Sequence, residues 1–177
     1  AVAVARGLAA FALGTDTAGS GRVPAAFNNI VGIKPTPGLV PSTGVVPACA
    51  SLDCVTVFTA SGADGVAVRR VMDGFDAADP DSRTLEARVV APTPRVGVLG
   101  AKDRQFHGDE EPAWLYAAAI ERAKGLGWTV VEFDYAPFAE VAALLYEGPW
   151  LAERLAEFEG LLDTTPEIFD PTVRGLL

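Results

Sequence analysis

The stretch Arg95-Val96-Gly97-Val98-Leu99, the polar run Gly100 to Glu111, the segment Pro112 to about Leu126 and Trp128-Thr129-Val130-Val131-Glu132-Phe133 decide the fold class. Two runs rich in valine flank a segment with helical apolar periodicity, which reads as strand, helix, strand and signals a βαβ unit. Pro112 suits the first turn of a helix, where a missing N–H is no loss. Asp109, Glu110 and Glu111 suit the positive end of its dipole. Trp114, Trp128 and Phe133 fall at core-facing spacing. The class is α/β.

Working outward, Pro137 to about Leu162 has a helical pattern that breaks at Gly148-Pro149, because proline cannot continue the hydrogen-bond ladder. Phe138, Leu144 and Leu145 are its packing residues. In the other direction, Gly74 to Pro94 is rich in Asp, Pro, Ala and Arg and reads as a loop or crossover. Ser61 can N-cap a helix from Gly62 to about Asp73, with Ala63, Val66, Val71 and Phe75 inward. Three short apolar runs, Ala9 to Leu13, Ile30 to Ile33 and Cys54 to Phe58, read as buried strands or turns. Ala1 to Gly7 looks like a helix end with Gly7 as its stop.

Composition removes several functions. Half of the 177 residues are apolar and 21% are charged, so disorder is excluded as the main state. No apolar run is long enough to span a membrane. Fourteen Lys and Arg against 23 Asp and Glu give a net charge of −9. With no basic cluster longer than Arg69-Arg70, a nucleic-acid partner is not expected. Cys49 and Cys54 are too few for a disulfide framework or a zinc site and read as buried thiols in a reducing compartment, with the cytoplasm as default. The chain starts at Ala1 and its only methionine is Met72, so it is expected to be a processed or trimmed chain, or a fragment.

The sharpest local feature is Gly14-Thr15-Asp16-Thr17-Ala18-Gly19-Ser20-Gly21-Arg22-Val23-Pro24. Ser20 lies between two glycines, so the backbone can turn tightly and leave its hydroxyl uncrowded. Successive amides from Thr17 to Ser20 can form a nest for a developing oxyanion. This is what an acyl-transfer nucleophile needs. The loop lacks the lysine of a phosphate-binding loop, and Gly19-Ser20-Gly21 does not have the spacing of a hydrolase nucleophile elbow. On local chemistry alone, an ordinary loop remains the commoner reading. His107, the only histidine, sits in a charged loop with Asp103 and Asp109, where solvation is a better account than metal binding. A base for Ser20 is therefore better sought in a lysine.

Together with Ala25 and Gly32-Ile33-Lys34-Pro35-Thr36, this segment resembles the core of the amidase signature family. The resemblance implies a mixed, twisted β-sheet covered by helices on both faces, and amide hydrolysis by a Ser–cis-Ser–Lys triad through an acyl-enzyme. It implies Ser20 as nucleophile and the amides of Thr17, Ala18, Gly19 and Ser20 as oxyanion hole. Asp16 and Arg22 then brace the loop, and Lys34 matches a structural lysine. The bridging cis-Ser and the catalytic Lys of the family would lie upstream of Ala1. The expectation is that residues 1–177 are an interior part of one amidase domain. The signature core occupies about residues 1–60 and the substrate-binding helices lie within 61–177. The chain alone is expected to be inactive.

Within the family, the allophanate hydrolase branch is most similar. The features are Ala18-Gly19-Ser20-Gly21-Arg22-Val23-Pro24, the text Gly44 to Cys54, and Tyr146-Glu147-Gly148-Pro149-Trp150-Leu151-Ala152-Glu153-Arg154. The resemblance implies that Tyr146 hydrogen-bonds the small-molecule substrate and that Arg154 pairs with its carboxylate, a task suited to a planar guanidinium. On a continuous helix these two would share a face, though Pro149 bends that picture. The implied reaction is hydrolysis of allophanate (urea-1-carboxylate) to ammonia and carbon dioxide in urea degradation, with no cofactor. A homodimer and a link to a biotin-dependent urea carboxylase are compatible with it. The alternatives are another amidase of the family, one component of an amidotransferase for aminoacyl-tRNA, or a catalytically inert domain.

Overall fold

The computed structural model describes residues 1–84 and 93–177. Its elements begin with α1 (Val2–Ala5), β1 (Phe11–Thr15), α2 (Arg22–Phe27), β2 (Val31–Ile33), β3 (Val55–Thr59) and α3 (Gly62–Met72). They continue with β4 (Arg95–Leu99), α4 (Glu110–Gly125), β5 (Thr129–Phe133), α5 (Ala136–Glu147), α6 (Pro149–Thr164) and α7 (Pro171–Leu176). The chain divides into two compact units, Ala1–Glu86 with Pro149–Leu177, and Ala87–Gly148. The loop expected from Gly74 to Pro94 falls in part on residues 85–92, outside the described residues.

In the first unit, β3 is the centre of a three-stranded antiparallel sheet in the order β1-β3-β2. Phe11 faces Thr59 and Thr15 faces Val55, while Val31 also lies opposite Thr59 on the other side of β3. Only β3 is buried along its length, from Thr56 to Thr59. All three apolar runs contribute strands, but the expectation that all three are buried is corrected here. β1 and β2 are edge strands, and Phe11, Leu13 and Thr15 of β1 are exposed. β1 also runs two residues later than its apolar run, because Gly14 and Thr15 pair through backbone with Thr56 and Val55.

Val4, Ala25 and Phe58 form the core cluster, with Ala1, Ala9, Ala12 and Ile30 packed against it. α1 stops as its glycine predicts. Gly7 has φ +68°, its N–H donates to Val4 O, and Leu8 N–H donates to Ala3 O, the paired bonds of a Schellman stop. Ser61 does cap α3, its Oγ accepting from Asp64 N–H at 3.2 Å. The inward face of α3 differs from the expected one. Ala63, Val66, Val71 and Phe75 are exposed, and the buried residue is Gly65, flanked by half-buried Val68 and Met72. A bare glycine lets the helix sit against Ile33 and Thr59.

Gly32 marks a second close approach. A Cβ there would lie 2.7 Å from Ala25 Cβ and 2.9 Å from the carbonyl oxygen of Gly21. Neither atom is the end of a flexible side chain. Gly32→Ala should therefore destabilise by about 1–3 kcal/mol through overpacking. A lower midpoint in chemical denaturation checks this, and an unchanged midpoint would contradict the packing.

In the second unit, β4 and β5 are parallel neighbours with Arg95 opposite Thr129 and Leu99 opposite Phe133, joined by α4. This is the βαβ arrangement read from sequence. α4 begins at Glu110, earlier than Pro112, because the Asp109 carboxylate caps it by accepting from Glu111 N–H at 3.0 Å. Leu99 N–H donates to the Tyr116 hydroxyl, and Arg104 Nε donates to Leu99 O, both at 2.8 Å. Trp114, Trp128 and Phe133 are exposed rather than core, Trp114 by 67%. Phe133 nevertheless meets the ring of Phe138 in α5 edge-on, with centroids 5.3 Å apart. The fold thus combines antiparallel and parallel pairing in one α/β chain, in two separate sheets among the described residues.

Candidate active site

Asp16 leaves β1 while still paired to Cys54, its N–H donating to Cys54 O at 2.9 Å. Its side chain is fully buried and turns back into the loop that follows. Oδ1 accepts from Gly19 N–H at 2.6 Å and from Arg22 Nη2 at 3.0 Å. Oδ2 accepts from Gly21 N–H and Arg22 N–H, both at 3.1 Å, and from Arg22 Nε at 2.9 Å. One carboxylate thereby gathers the backbone on both sides of Ser20. Gly19 has φ +129°, a region that a side chain would strain. Gly21 packs on Thr56, where a Cβ would reach Thr56 Cβ at 3.0 Å and its methyl sooner.

Burial by itself raises the Asp16 pKa, but the Arg22 side chain, the Gly19 and Arg22 amides and the Arg22 charge together outweigh it and hold the carboxyl at about 2. The Arg22 guanidinium is raised in turn, chiefly by its hydrogen bond to Asp16. Both groups stay ionised through the neutral range.

Ser20 itself is exposed, and among the described residues its hydroxyl makes no hydrogen bond. The amide count of the loop departs from the sequence reading at one position. Gly19 N–H, expected in the oxyanion nest, is committed to Asp16 at 2.6 Å. Among the described residues no acceptor takes the N–H groups of Thr17, Ala18 or Ser20. Lys34 is engaged elsewhere, its ammonium donating to Pro35 O at 2.7 Å and to Cys54 Sγ at 3.4 Å.

A second carboxylate, which sequence reasoning assigned no role, meets the other end of the loop. Asp53 is buried, and its Oδ1 accepts from the Thr17 hydroxyl. Its Oδ2 accepts from Ala48 N–H at 2.7 Å and Cys49 N–H at 3.0 Å. Ala48 O in turn accepts from Arg154 Nε at 2.9 Å. The adjacent Glu153 accepts from Ser51 N–H at 2.8 Å and Ser51 Oγ at 2.7 Å. The Ser51 amide chiefly holds the Glu153 carboxyl below its ordinary value, while burial and then the Glu153 charge push the Cys49 thiol up. Two consecutive residues of α6 therefore clamp the 48–53 turn, and Arg154 lies in the same unit as Ser20.

Tyr146 lies in the last turn of α5 in the second unit, and Gly148, extended at φ −140° and ψ −162°, separates α5 from α6. Tyr146 and Arg154 thus sit on two helices, and the shared face of a single helix does not apply. His107 lies in an exposed turn of the second unit with φ +51°. Among the described residues no three His, Cys, Asp or Glu side chains group as metal ligands, and no helix is long and apolar enough to cross a membrane.

An exposed serine thus stands on a glycine loop braced by a buried aspartate and its half-exposed arginine partner. The Amidase family model matches residues 1–174, and the chain belongs to that family. It is 44% identical over 181 residues to the urea amidolyase of Lachancea kluyveri, a match that covers 100% of this chain and 10% of that one. A solved structure of Kluyveromyces lactis allophanate hydrolase superposes with a TM-score of 0.91 at 39% identity, over 98% of this chain and 29% of that chain. A glutamyl-tRNA(Gln) amidotransferase chain of Latilactobacillus sakei is 36% identical over 91% of this chain and 35% of its own length. The chain therefore spans about a tenth of the urea amidolyase it matches. Its fold is that of the amidase signature proteins.

Proposed function

We propose that this chain is an interior part of an amidase domain that hydrolyses allophanate to ammonia and carbon dioxide. The observation that carries the reading is the exposed Ser20 hydroxyl beside the unclaimed amides of Thr17, Ala18 and Ser20, on a loop fixed by Asp16. Ser20 Oγ forms a bond to the amide carbonyl, the oxyanion is stabilised by those amides, and the C–N bond breaks with loss of ammonia. Water then hydrolyses the acyl-enzyme. The Ser20 proton passes to a lysine through a bridging serine, as the family resemblance implies. With Lys34 held by Pro35 and Cys54, the 177-residue chain alone should be inert. Asp16 and Arg22 hold the loop and do not react.

The substrate reading rests on Arg154, which is assigned the allophanate carboxylate, and on Tyr146, assigned a hydrogen bond to the same molecule. The likeness to urea amidolyase and allophanate hydrolase supports it. A functional link to a biotin-dependent urea carboxylase and a cytoplasmic location belong to the same proposal. The likeness to a glutamyl-tRNA(Gln) amidotransferase chain favours a second reading, transfer chemistry on aminoacyl-tRNA, which the net charge of −9 opposes.

Arg154→Ala distinguishes the two. Loss of a charged hydrogen bond is worth about 1.5–3 kcal/mol. KM for allophanate should therefore rise roughly 10- to 100-fold, with KM for an uncharged amide little changed. An equal effect on both substrates rejects the carboxylate role. Ammonia release by the complete protein, measured across both substrates, provides the comparison.

A further inference from the structure

We propose that Asp53 is a positioning residue that holds the oxyanion loop and the substrate-binding arginine in register with each other. This deepens the amidase reading above and rests on it. The Ser20 loop has two anchors. Asp16 takes the amides of Gly19, Gly21 and Arg22, all downstream of the nest or within it. At the upstream end, the side chain of Thr17 reaches the buried carboxylate of Asp53, 36 residues away.

The other oxygen of Asp53 fixes Ala48 and Cys49 through their N–H groups. Ala48 uses both of its backbone groups in this chain of contacts. Its N–H is held by Asp53 and its carbonyl accepts from Arg154 Nε. Two hydrogen bonds therefore connect Asp53 to Arg154, and one connects it to Thr17, whose N–H faces the developing oxyanion in the proposed reaction. The backbone of Asp53 is itself fixed, since its N–H donates to Cys49 O at 2.9 Å and the next residue, Cys54, pairs with Asp16. A displacement of this carboxylate is passed to both ends of the site, because the buried Asp53 must keep its partners and Ala48, which it holds, carries the carbonyl that Arg154 meets.

The two branches separate by substitution. Thr17→Val removes the hydroxyl and keeps the branched shape, so it cuts only the branch to the oxyanion loop. Thr17→Ser keeps the hydroxyl. Asp53→Asn can turn its oxygen toward the two amides, which have no alternative, and its NH2 toward Thr17, whose hydroxyl can rotate to accept. Asp53→Ala cuts both branches. All are compared in the complete protein, per active site counted by fluorophosphonate labelling carried to completion.

Thr17→Val should lower kcat about tenfold with KM for allophanate unchanged, and Thr17→Ser should restore kcat. Asp53→Ala should lower kcat and also raise KM for allophanate about tenfold, leaving KM for an uncharged amide unchanged. Asp53→Asn should keep kcat near that of Thr17→Ser and keep the wild-type KM. A merely structural Asp53 would reduce the number of labelled sites and the melting temperature but leave kcat per site and KM alone, and that result overturns the proposal. If Asp53→Ala does not fold, the threonine pair decides, and an unchanged kcat in Thr17→Val overturns it. Ser20→Ala runs beside them. Full activity there marks failure of the acyl-transfer reading itself, whereas an inactive Ser20→Ala with normal Thr17→Val rejects only the role of Asp53.

Discussion

Ammonia release from allophanate should fall by about 10⁴-fold or more when Ser20 is replaced by alanine in the complete protein, because the group that forms the covalent bond is gone. The expected cause is chemical and not structural. Ser20 is exposed, and among the described residues its hydroxyl has no hydrogen-bond partner to leave behind. Surface changes of that kind usually alter stability by no more than about 0.5 kcal/mol. The contacts that shape the loop come from Asp16 to Gly19, Gly21 and Arg22, and none involves the Ser20 side chain. Melting temperature and substrate affinity should therefore stay near wild type while kcat collapses and fluorophosphonate labelling disappears. Equal turnover in the two proteins would remove Ser20 from the reaction.

Features written in local sequence were legible from the residues alone. The βαβ unit follows from two valine-rich runs and the helical period between them. The break between α5 and α6 follows from Pro149, the start of α3 from Ser61 and the stop of α1 from Gly7. The Asp16–Arg22 brace came from the family resemblance and not from the residues alone, although its partners lie only three to six residues apart. Three features were not legible, for physical reasons. The register of β1 is set by backbone pairing at Gly14 and Thr15, which carries no side-chain signal. The buried face of α3 is defined by what Gly65 lacks, and apolar periodicity registers only what a residue has. Asp53 works through a contact 36 residues away, and Glu153 and Arg154 reach across 102 and 106 residues. Such pairings have no spacing to read. The Ser51-Leu52-Asp53 text was visible, but nothing local gives its carboxylate a partner.

Asp16→Asn should be strongly destabilising and should also suppress turnover. Five donors converge on the two oxygens of Asp16. An asparagine offers one oxygen and one NH2, so either Gly19 N–H and Arg22 Nη2, or Gly21 N–H with Arg22 N–H and Nε, would face a donor. Removing one partner of a buried ion pair costs about 3–5 kcal/mol. The lower end applies because the Arg22 side chain is 53% exposed and water takes over part of its solvation. Gly19 and Gly21 then lose the anchor that frames Ser20, so kcat should fall with stability, which a mere loss of surface charge would not produce. The pH dependence has a definite sign. The folded carboxyl is held at about 2, below its unfolded value of about 4. Its contribution is therefore complete above about pH 4 and is lost as pH falls through about 2. The stability gap between wild type and Asp16→Asn should stay level across the neutral range and narrow only in acid, as the wild-type carboxyl takes up its proton. Denaturation midpoints of both proteins over a pH series measure that gap, and a gap that narrows near neutrality would mean that the loop is held by some other group.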